Sequence, residues 1–212
     1  MEPMLRRYTE LPYVIDLLQT KELVLLNPES WDDSNDSYYI EQYTRIKGIA
    51  GTFALCLAQA PETYHHWKIF SHGSGGACIV FDKKKFIKSA LKVKGLRAEE
   101  VQYKTIAALK SAKLKKEDLP FLKRYAYSDE KEFRLILGMK NGSPATFRFS
   151  IPLTAIDRIT LSPWMSKGVV ENVKRTLKSI EGCSSLRIYR STLVDNEQWK
   201  RFASNCAEPF IE

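Results

Sequence analysis

The chain has 212 residues, 44% hydrophobic and 27% charged, a balance typical of a globular protein long enough to bury a core. Its net charge of +8 permits an anionic partner such as nucleic acid, and no apolar run reaches the roughly 18–20 residues of a membrane helix. The four cysteines lie far apart and show no zinc-ligand spacing, so we expect neither a structural zinc nor a disulfide framework.

The first half of the chain predicts alternating helices and strands. Its start, "MEPMLRRYTE", lacks the apolar core of a secretory signal, and we expect a cytoplasmic protein. "MLRRY" predicts an extended segment, and "TELPYVIDLLQTK" predicts a helix with Thr9 as candidate N-cap. There follow a strand in "ELVLLNP", a polar turn, a helix in "YYIEQYTRIK", a strand in "GTFALCLA", a glycine-rich loop after "HHWKIF", and a strand in "ACIVFD".

The second half predicts an amphipathic helix in "KKKFIKSALK", a strand in "RAEEVQYK" and a lysine-rich helix to about Lys116. A helix in "EDLPFLKRYAYS" precedes three successive hairpin-like strands, "EFRLILG", "ATFRFSI" and "IDRITLSP". A helix in "SKGVVENVKRTLKSI", a strand in "SLRIYRS" and a short helix in "NEQWKRFASN" end the chain. This irregular alternation predicts one α+β domain over residues 1–212, with mixed or antiparallel sheets and flanking helices.

The stretch "DEKEFRLI" carries charges at alternate positions. On a strand, Glu130, Glu132 and Arg134 share one face, and Phe133 and Leu135 share the other. If the charged face is solvated, Glu132 and Arg134 form a weak pair worth less than about 1 kcal/mol. If it lines a cleft, Glu132 is a candidate general base or electrostatic stabiliser.

A glycine-rich loop, "SHGSGG", ends the stretch that holds all three histidines, His65, His66 and His72. Their spacing matches no common metal site, and we expect no bound metal. The loop is either an inert turn before a buried strand or a binding loop whose backbone N–H groups, Ser71, His72 and Ser74 meet a ligand. It is not a P-loop, because no Gly-Lys-Ser/Thr follows.

Two further motifs have both structural and functional readings. An arginine in "RRY" either clamps a phosphate or carboxylate with its planar fork or lies free on the surface. The acids of "WDDSND" either bind a divalent cation or cap the next helix; the motif lacks the glycine and terminal glutamate of a calcium loop, which favours the capped turn.

Residues 83–116 hold 12 lysines and arginines against two acids, a surplus of ten that exceeds the net charge of the whole chain. They form either a solvated helix pair or a landing surface for a polyanion, with Lys113, Lys115 and Lys116 as candidate nucleic-acid contacts. Few aromatic residues interrupt the run, so it gives little indication of sequence-specific single-strand binding.

Four motifs occur in an order that resembles DUF2971, a bacterial family of unknown function: "RY", "LLNPESWDDSND", "HWKIFSHGSGGACIVFD" and "EKEFR". The resemblance spans roughly residues 5–165. The chain departs from the family pattern where "DDSND" lacks a proline and where Tyr replaces the frequent Trp before "EKEFR".

The order of elements also resembles the ADP-ribosyltransferase fold, especially the DarT-like toxins, in which a catalytic Glu lies on a strand comparable to "EKEFRLI". By that likeness Glu132 is the catalytic residue, Glu130 orients or deprotonates an acceptor, and NAD is the substrate in a cleft between split sheets. The residues that the resemblance assigns to NAD are Arg6, Arg7, Tyr8, His72, Gly73, Ser74 and Gly75.

Three hypotheses remain open from the sequence. The first is an NAD-consuming transferase or glycohydrolase, a toxin or phage-defence effector with an anionic acceptor such as nucleic acid. The second is a non-catalytic module that binds nucleic acid through its basic surface. The third is a structural or partner-bound component of a defence operon. The direction in which Glu132 faces separates the first from the others.

Overall fold

The structure is a computed structural model, and it describes residues 3–142 and 144–207. Within these ranges the strands are β1 (Met4–Glu10), β2 (Glu22–Leu26), β3 (Gly51–Ala58), β4 (Gly76–Asp82), β5 (Leu96–Glu100), β6 (Gln102–Lys104), β7 (Leu122–Arg124), β8 (Glu132–Met139), β9 (Thr146–Ser150), β10 (Ile156–Leu161) and β11 (Ile188–Arg190). The α-helices are α1 (Leu11–Thr20), α2 (Ser34–Lys47), α3 (Tyr64–Phe70), α4 (Lys83–Ala90), α5 (Ile106–Ser111), α6 (Lys167–Ser179) and α7 (Glu197–Ala207).

Nine of the strands form one mostly antiparallel sheet in the order β11-β10-β4-β1-β3-β2-β9, with β8 beside β3 and β5 beside β8. The β10–β11 pair is parallel, and β6 and β7 form a separate parallel pair. The predicted class, mixed α and β with a largely antiparallel sheet and flanking helices, is confirmed.

The sheet divides along β3. Strand β8 pairs with β3 at all eight residues, so β1 and β2 share its other edge. There β1 pairs only at Arg6↔Ala58 and β2 only at Leu26↔Ala54. Residues 55–57 therefore face a gap between the two strands, which we call the split.

The main hydrophobic core lies on one face of the sheet. Helix α1 contributes Val14, Leu17 and Leu18, whose spacing gives a single apolar stripe. Helices α4 and α6 add Phe86 and Val170 to the same core. These helices therefore close one face of the sheet.

The opposite face is also largely covered. Ile40 and Tyr43 of α2 pack with Phe121 against Ala54 and Ile136 of the sheet. A further cluster on this face consists of Tyr8, Ala58, Trp67, Cys78 and Val80, and it includes the buried tryptophan of α3. The site described below lies between these two covered areas.

The prediction of hairpin-like pairing among the strands of residues 131–161 is wrong. Strand β8 pairs with β3 and β5, β9 pairs with β2, and β10 pairs with β4 and β11. Short connections favour hairpins, but each of these strands instead occupies a sheet edge that a distant segment provides.

Several boundaries also differ from the prediction. The helix predicted in "EDLPFLKRYAYS" is two 3-10 turns, Lys116–Phe121 and Tyr125–Glu130, on either side of β7; Pro120 lies inside the first turn and has no N–H for a longer helix. The expected lysine-rich helix ends at Ser111, and "RAEEVQYK" divides into β5 and β6. Thr9 lies within β1, and Glu10 occupies the N-cap position without a side-chain bond.

Candidate active site

Strand β8 begins at Glu132, and Glu130 is not part of it. Glu130 ends a 3-10 turn, and Lys131, with φ of 44°, turns the chain into the strand. The expectation that Glu130 shares a strand face with Glu132 is therefore wrong. The left-handed conformation at Lys131 breaks the alternation that would have put them on one side.

The charged face of β8 is buried. Arg134 is fully buried and Glu132 is 4% exposed. Arg134 Nε donates to Glu132 Oε1 at 2.7 Å, and its Nη2 donates to Oε2 at 2.9 Å. A solvated sheet face is thus excluded, because this is a bidentate pair that has been removed from water.

Asp36 of α2 is the second partner of Arg134. Arg134 Nη1 and Nη2 donate to its Oδ1 and Oδ2 at 2.9 and 2.7 Å. Asp33 caps α2, since its Oδ1 accepts from the backbone N–H groups of Asn35 and Asp36, and this confirms the capped turn favoured for "WDDSND". The cap fixes the first helical turn, from which Asp36 reaches the sheet.

Lys123 of β7 completes the group. Its Nζ lies 2.7 Å from Glu130 Oε2, 3.3 Å from Glu132 Oε2 and 3.8 Å from Asp36 Oδ2. We call Asp36, Lys123, Glu130, Glu132 and Arg134 the ion cluster. With three carboxylates and two cations it carries a net negative charge when every member is ionised.

The members of the ion cluster differ in how readily they take up a proton. Burial opposes the charge on Glu132, but Arg134 outweighs burial and lowers the pKa of this carboxyl from 4.5 to about 2. Burial raises the pKa of Glu130 and of Asp36, and their cationic neighbours offset only part of that rise. Glu132 is therefore an anion at neutral pH, and Glu130 takes up a proton more readily.

Arg7 bridges the split. The gap leaves the Cys56 carbonyl without a partner strand, and Arg7 Nη1 donates to it at 3.2 Å. Burial raises the pKa of the Cys56 thiol, and the negative charge of Glu132 raises it further. Cys56 therefore lies between the arginine of β1, which binds its carbonyl, and the charge of Glu132 on β8.

Arg6 shares a sheet face with Glu132. Arg6 lies opposite Ala58, and Ala58 lies opposite Glu132, so the three residues form a row across β1, β3 and β8. Two strand spacings separate Arg6 from Glu132, about 10 Å between their backbones. The residue between them in this row is Ala58, whose side chain is a single methyl group. The Arg6 Nη1 donates to the carbonyl of Ala60 at 2.8 Å.

Tyr8 lies two residues along the same face of β1. It is 5% exposed, and its ring stacks on His66 with centroids 5.4 Å apart and meets Trp67 edge-on. Its hydroxyl is buried and has no hydrogen-bond partner among the described residues. A buried hydroxyl of this kind is a candidate contact for a ligand.

The glycine loop does not join these residues. His72 is exposed and its Nδ1 lies 2.9 Å from Glu10 Oε1, at the end of β1 away from Arg6. Four residues of strand, about 13 Å, separate Arg6 from Glu10. Gly73, Ser74 and Gly75 form an exposed 3-10 turn there, and Gly73 adopts φ of +59°.

The lysines predicted to contact nucleic acid, Lys113, Lys115 and Lys116, are exposed in the segment after α5. The basic stretch is not the helix pair considered from the sequence, because β5 and β6 lie between α4 and α5. Among residues 3–142 and 144–207 no group of three His, Cys, Asp or Glu side chains is arranged to hold a metal ion. No helix in these ranges has the length and apolar character of a membrane span.

The sequence did not single out three members of this site. Lys123 lay in a segment predicted as helix, Asp36 in a loop interpreted only as a cap, and Cys56 in an apolar run. One signal was available: "DDSND" contributes more acids than a single N-cap requires.

No protein-family model matches the chain, so its likeness to DUF2971 stays a resemblance, and no curated protein matches it. Solved structures of DarT from Thermus sp. 2.9 are similar, in complexes with ADP-ribosylated ssDNA, with carba-NAD+ and with NAD+. Their identity to this chain is 14–15%, the matches cover 90% of this chain and 94–96% of DarT, and the TM-scores are 0.46–0.47.

Proposed function

We propose that the protein is an NAD-dependent ADP-ribosyltransferase with an anionic acceptor, such as nucleic acid. One observation carries the proposal: Arg6 and Glu132 flank the small Ala58 on one face of the sheet, beside the split. A cation and a carboxylate across a narrow floor suit a substrate with an anionic pyrophosphate and a ribose that becomes cationic in the reaction.

In this proposal Arg6 holds the pyrophosphate, Arg7 stays on the Cys56 carbonyl and supports the split, and Tyr8 donates its unpaired hydroxyl to the ligand. Glu132, with its pKa near 2, is already ionised and accepts from a hydroxyl of the nicotinamide ribose. The ribose–nicotinamide bond breaks, its electron pair leaves with nicotinamide, and the anion stabilises the oxocarbenium-like ribose.

The acceptor then attacks the ribose carbon and loses a proton. Glu130 is the proposed base, because it is the more exposed of the two glutamates and burial raises its pKa. His72, Gly73, Ser74 and Gly75 lie at the far end of β1, so we assign them to the adenosine half of the ligand. They have no role in the reacting half.

Ligand binding at Glu132 requires a local rearrangement. Arg134 occupies both carboxylate oxygens, and the side chain is 4% exposed. Lys123 makes the longest of the contacts to this carboxylate, 3.3 Å, and it has a second carboxylate, Glu130, at 2.7 Å. We propose that Lys123 withdraws toward Glu130 and that a ribose hydroxyl replaces it at Oε2.

The test is nicotinamide release from NAD by the purified chain, with and without single-stranded DNA and RNA. Glu132→Gln keeps the shape and removes the charge, so we expect a loss of at least about 100-fold. Glu41→Gln changes an exposed carboxylate of α2 and serves as the matched control. Urea unfolding of both variants separates lost chemistry from lost fold, and wild-type protein without nicotinamide release under any condition contradicts the proposal.

A second candidate, a non-catalytic nucleic-acid-binding module, is favoured by the shielding of Glu132 and the exposure of Lys113, Lys115 and Lys116. It predicts binding that weakens steeply with salt and no nicotinamide release. Changing the three lysines to Glu should then lower the slope of log affinity against log salt by about 2 for a single strand.

The control for that experiment changes lysines elsewhere, Lys140, Lys167 and Lys178, all exposed, to Glu. It matches the change in net charge without altering the segment after α5. If both triple variants lower the slope equally, net charge alone governs binding, and the segment is not a specific contact.

A further inference from the structure

A pocket of about 180 Å³ lies beside the ion cluster, which contributes Asp36 and Lys123 to its lining. Tyr39 of α2, Leu122 of β7 and Leu109 of α5 give it an apolar lining. Drug-sized ligands occupy about 300–1,000 Å³. The pocket therefore suits a single ring system and is too small for a whole dinucleotide.

Asp33 supplies an unused acceptor in the lining. Its Oδ1 is occupied by the N–H groups of the α2 cap, whereas Oδ2 is buried and has no hydrogen-bond partner in the described ranges. Burial opposes the charge on Asp33, but the bonds from Asn35 and Asp36 outweigh it and lower the pKa, so the group is ionised. A buried, unpaired carboxylate oxygen gains from a ligand that brings an N–H donor.

Two positively charged side chains in the lining can bind an anionic group. Lys104 and Arg124 line the same pocket, and within residues 3–142 and 144–207 neither side chain makes an ion pair. Lys123, by contrast, is committed to three carboxylates. An apolar lining, one N–H acceptor and two free cations together match a planar heterocycle attached to a phosphate.

We propose that this pocket binds one nucleotide unit, with the base between Tyr39 and Leu109 and a base N–H donated to Asp33 Oδ2. Its phosphate lies at Lys104 and Arg124. The same unit is present in a free mononucleotide and in a single strand. The assignment of this nucleotide as the acceptor rests on the proposed transferase function, whereas its binding does not.

The test measures binding calorimetrically without NAD, for the four deoxynucleoside monophosphates and a short single-stranded oligonucleotide. Asp33→Asn retains Oδ1 as the helix cap and replaces the free acceptor Oδ2 by an N–H₂ donor. We expect at least about tenfold weaker binding, the equivalent of one lost charged hydrogen bond. Asp32→Asn, at an exposed neighbour outside the lining, should leave affinity unchanged.

The phosphate contact has its own variants. Lys104→Gln and Arg124→Gln should each lower the affinity for nucleotides at least about tenfold. They should change the affinity for nucleosides little, because a nucleoside has no phosphate. If Asp33→Asn binds nucleotides as tightly as wild type, the base contact is wrong and the assignment is overturned. If Lys104→Gln and Arg124→Gln weaken the binding of nucleosides as much as that of nucleotides, the phosphate contact is wrong and the assignment is likewise overturned.

A series of oligonucleotides, each with one abasic position and together covering every position of the strand, distinguishes a nucleotide within a strand from a free mononucleotide. If intact strands bind more tightly than mononucleotides and an abasic position weakens them, the nucleotide belongs to a strand; equal affinity for mononucleotides identifies the free form. If strands bind equally well with and without abasic positions, and mononucleotides do not bind, the proposal that the pocket binds a nucleotide is rejected. Because nicotinamide release is measured separately, nucleotide binding without release would leave this site standing and reject the transferase.

Discussion

Arg134 binds Glu132 and Asp36 at once, each through two hydrogen bonds, and all three side chains are buried. The guanidinium also donates to the carbonyl of Pro120 at 2.9 Å and lies over the ring of Trp31. A strand, a helix and a 3-10 turn thus meet at one side chain. This arrangement fixes the carboxylate of Glu132 in one position and in its charged form.

We expect Arg134→Met to destabilise the protein by about 3–5 kcal/mol, because two buried carboxylates lose their counter-ion. Urea unfolding measures the change. The control is Arg148→Met, which removes an exposed pair with Asp16 and should cost less than about 1 kcal/mol. Equal costs for the two variants would show that the buried pair contributes no more than a surface pair.

Stability at acid pH should depend on Glu132. Its folded pKa of about 2 lies below the ordinary value of 4.5, so its contribution, about 3 kcal/mol, is fully present above pH 4.5. That contribution is lost as the pH falls from 4.5 through 2. The raised pKa values of Asp36 and Glu130 act in the opposite direction, because the folded protein binds their protons more readily.

Comparison with Glu132→Gln removes this contribution together with the part of the Asp36 and Glu130 pKa shifts that the charge of Glu132 causes. Unfolding free energies at pH 6 and pH 3 should fall more steeply for wild type than for the variant. If the unfolding free energies of wild type and Glu132→Gln fall by the same amount, the pKa of Glu132 is the same in the folded and the unfolded chain. That result would contradict its pairing with Arg134.

Substrate binding should depend on Arg6. Arg6→Gln removes a positive charge from the sheet face that carries Glu132, and we expect KM for NAD to rise about tenfold or more with kcat little changed. Arg175→Gln, at an exposed position of α6, is the control. Steady-state kinetics of nicotinamide release gives both constants. A fall in kcat at constant KM would instead place Arg6 in the chemical step.

Local patterns predicted much of the fold. The stripe of Val14, Leu17 and Leu18 predicted α1, and the apolar runs predicted β3 and β4. The prediction of hairpins was wrong because each strand pairs with a sheet edge formed by a segment distant in the chain, as when β9 pairs with β2. The helix predicted before β8 is absent because Pro120 lies in its first turn and residues 122–124 pair as β7, which the apolar pattern does not reveal.

The candidate site was only partly visible in the sequence. Alternation on β8 brought Glu132 and Arg134 to one face, but it left open whether that face meets water. The answer depends on Asp36, 98 residues from Arg134 in the chain, and on the turn that covers both. Contacts at that separation leave no local pattern, and the row of Arg6, Ala58 and Glu132 depends on the register of β1 and β8 on β3, which no local pattern gives either.

The most direct test is an experimental structure of the chain bound to a non-reactive NAD analogue. The account predicts that the nicotinamide ribose lies over Ala58, with one hydroxyl about 3 Å from Glu132 Oε2, the pyrophosphate at Arg6, and Lys123 withdrawn. An analogue bound elsewhere, with Glu132 still closed by Arg134 and Lys123, would contradict it.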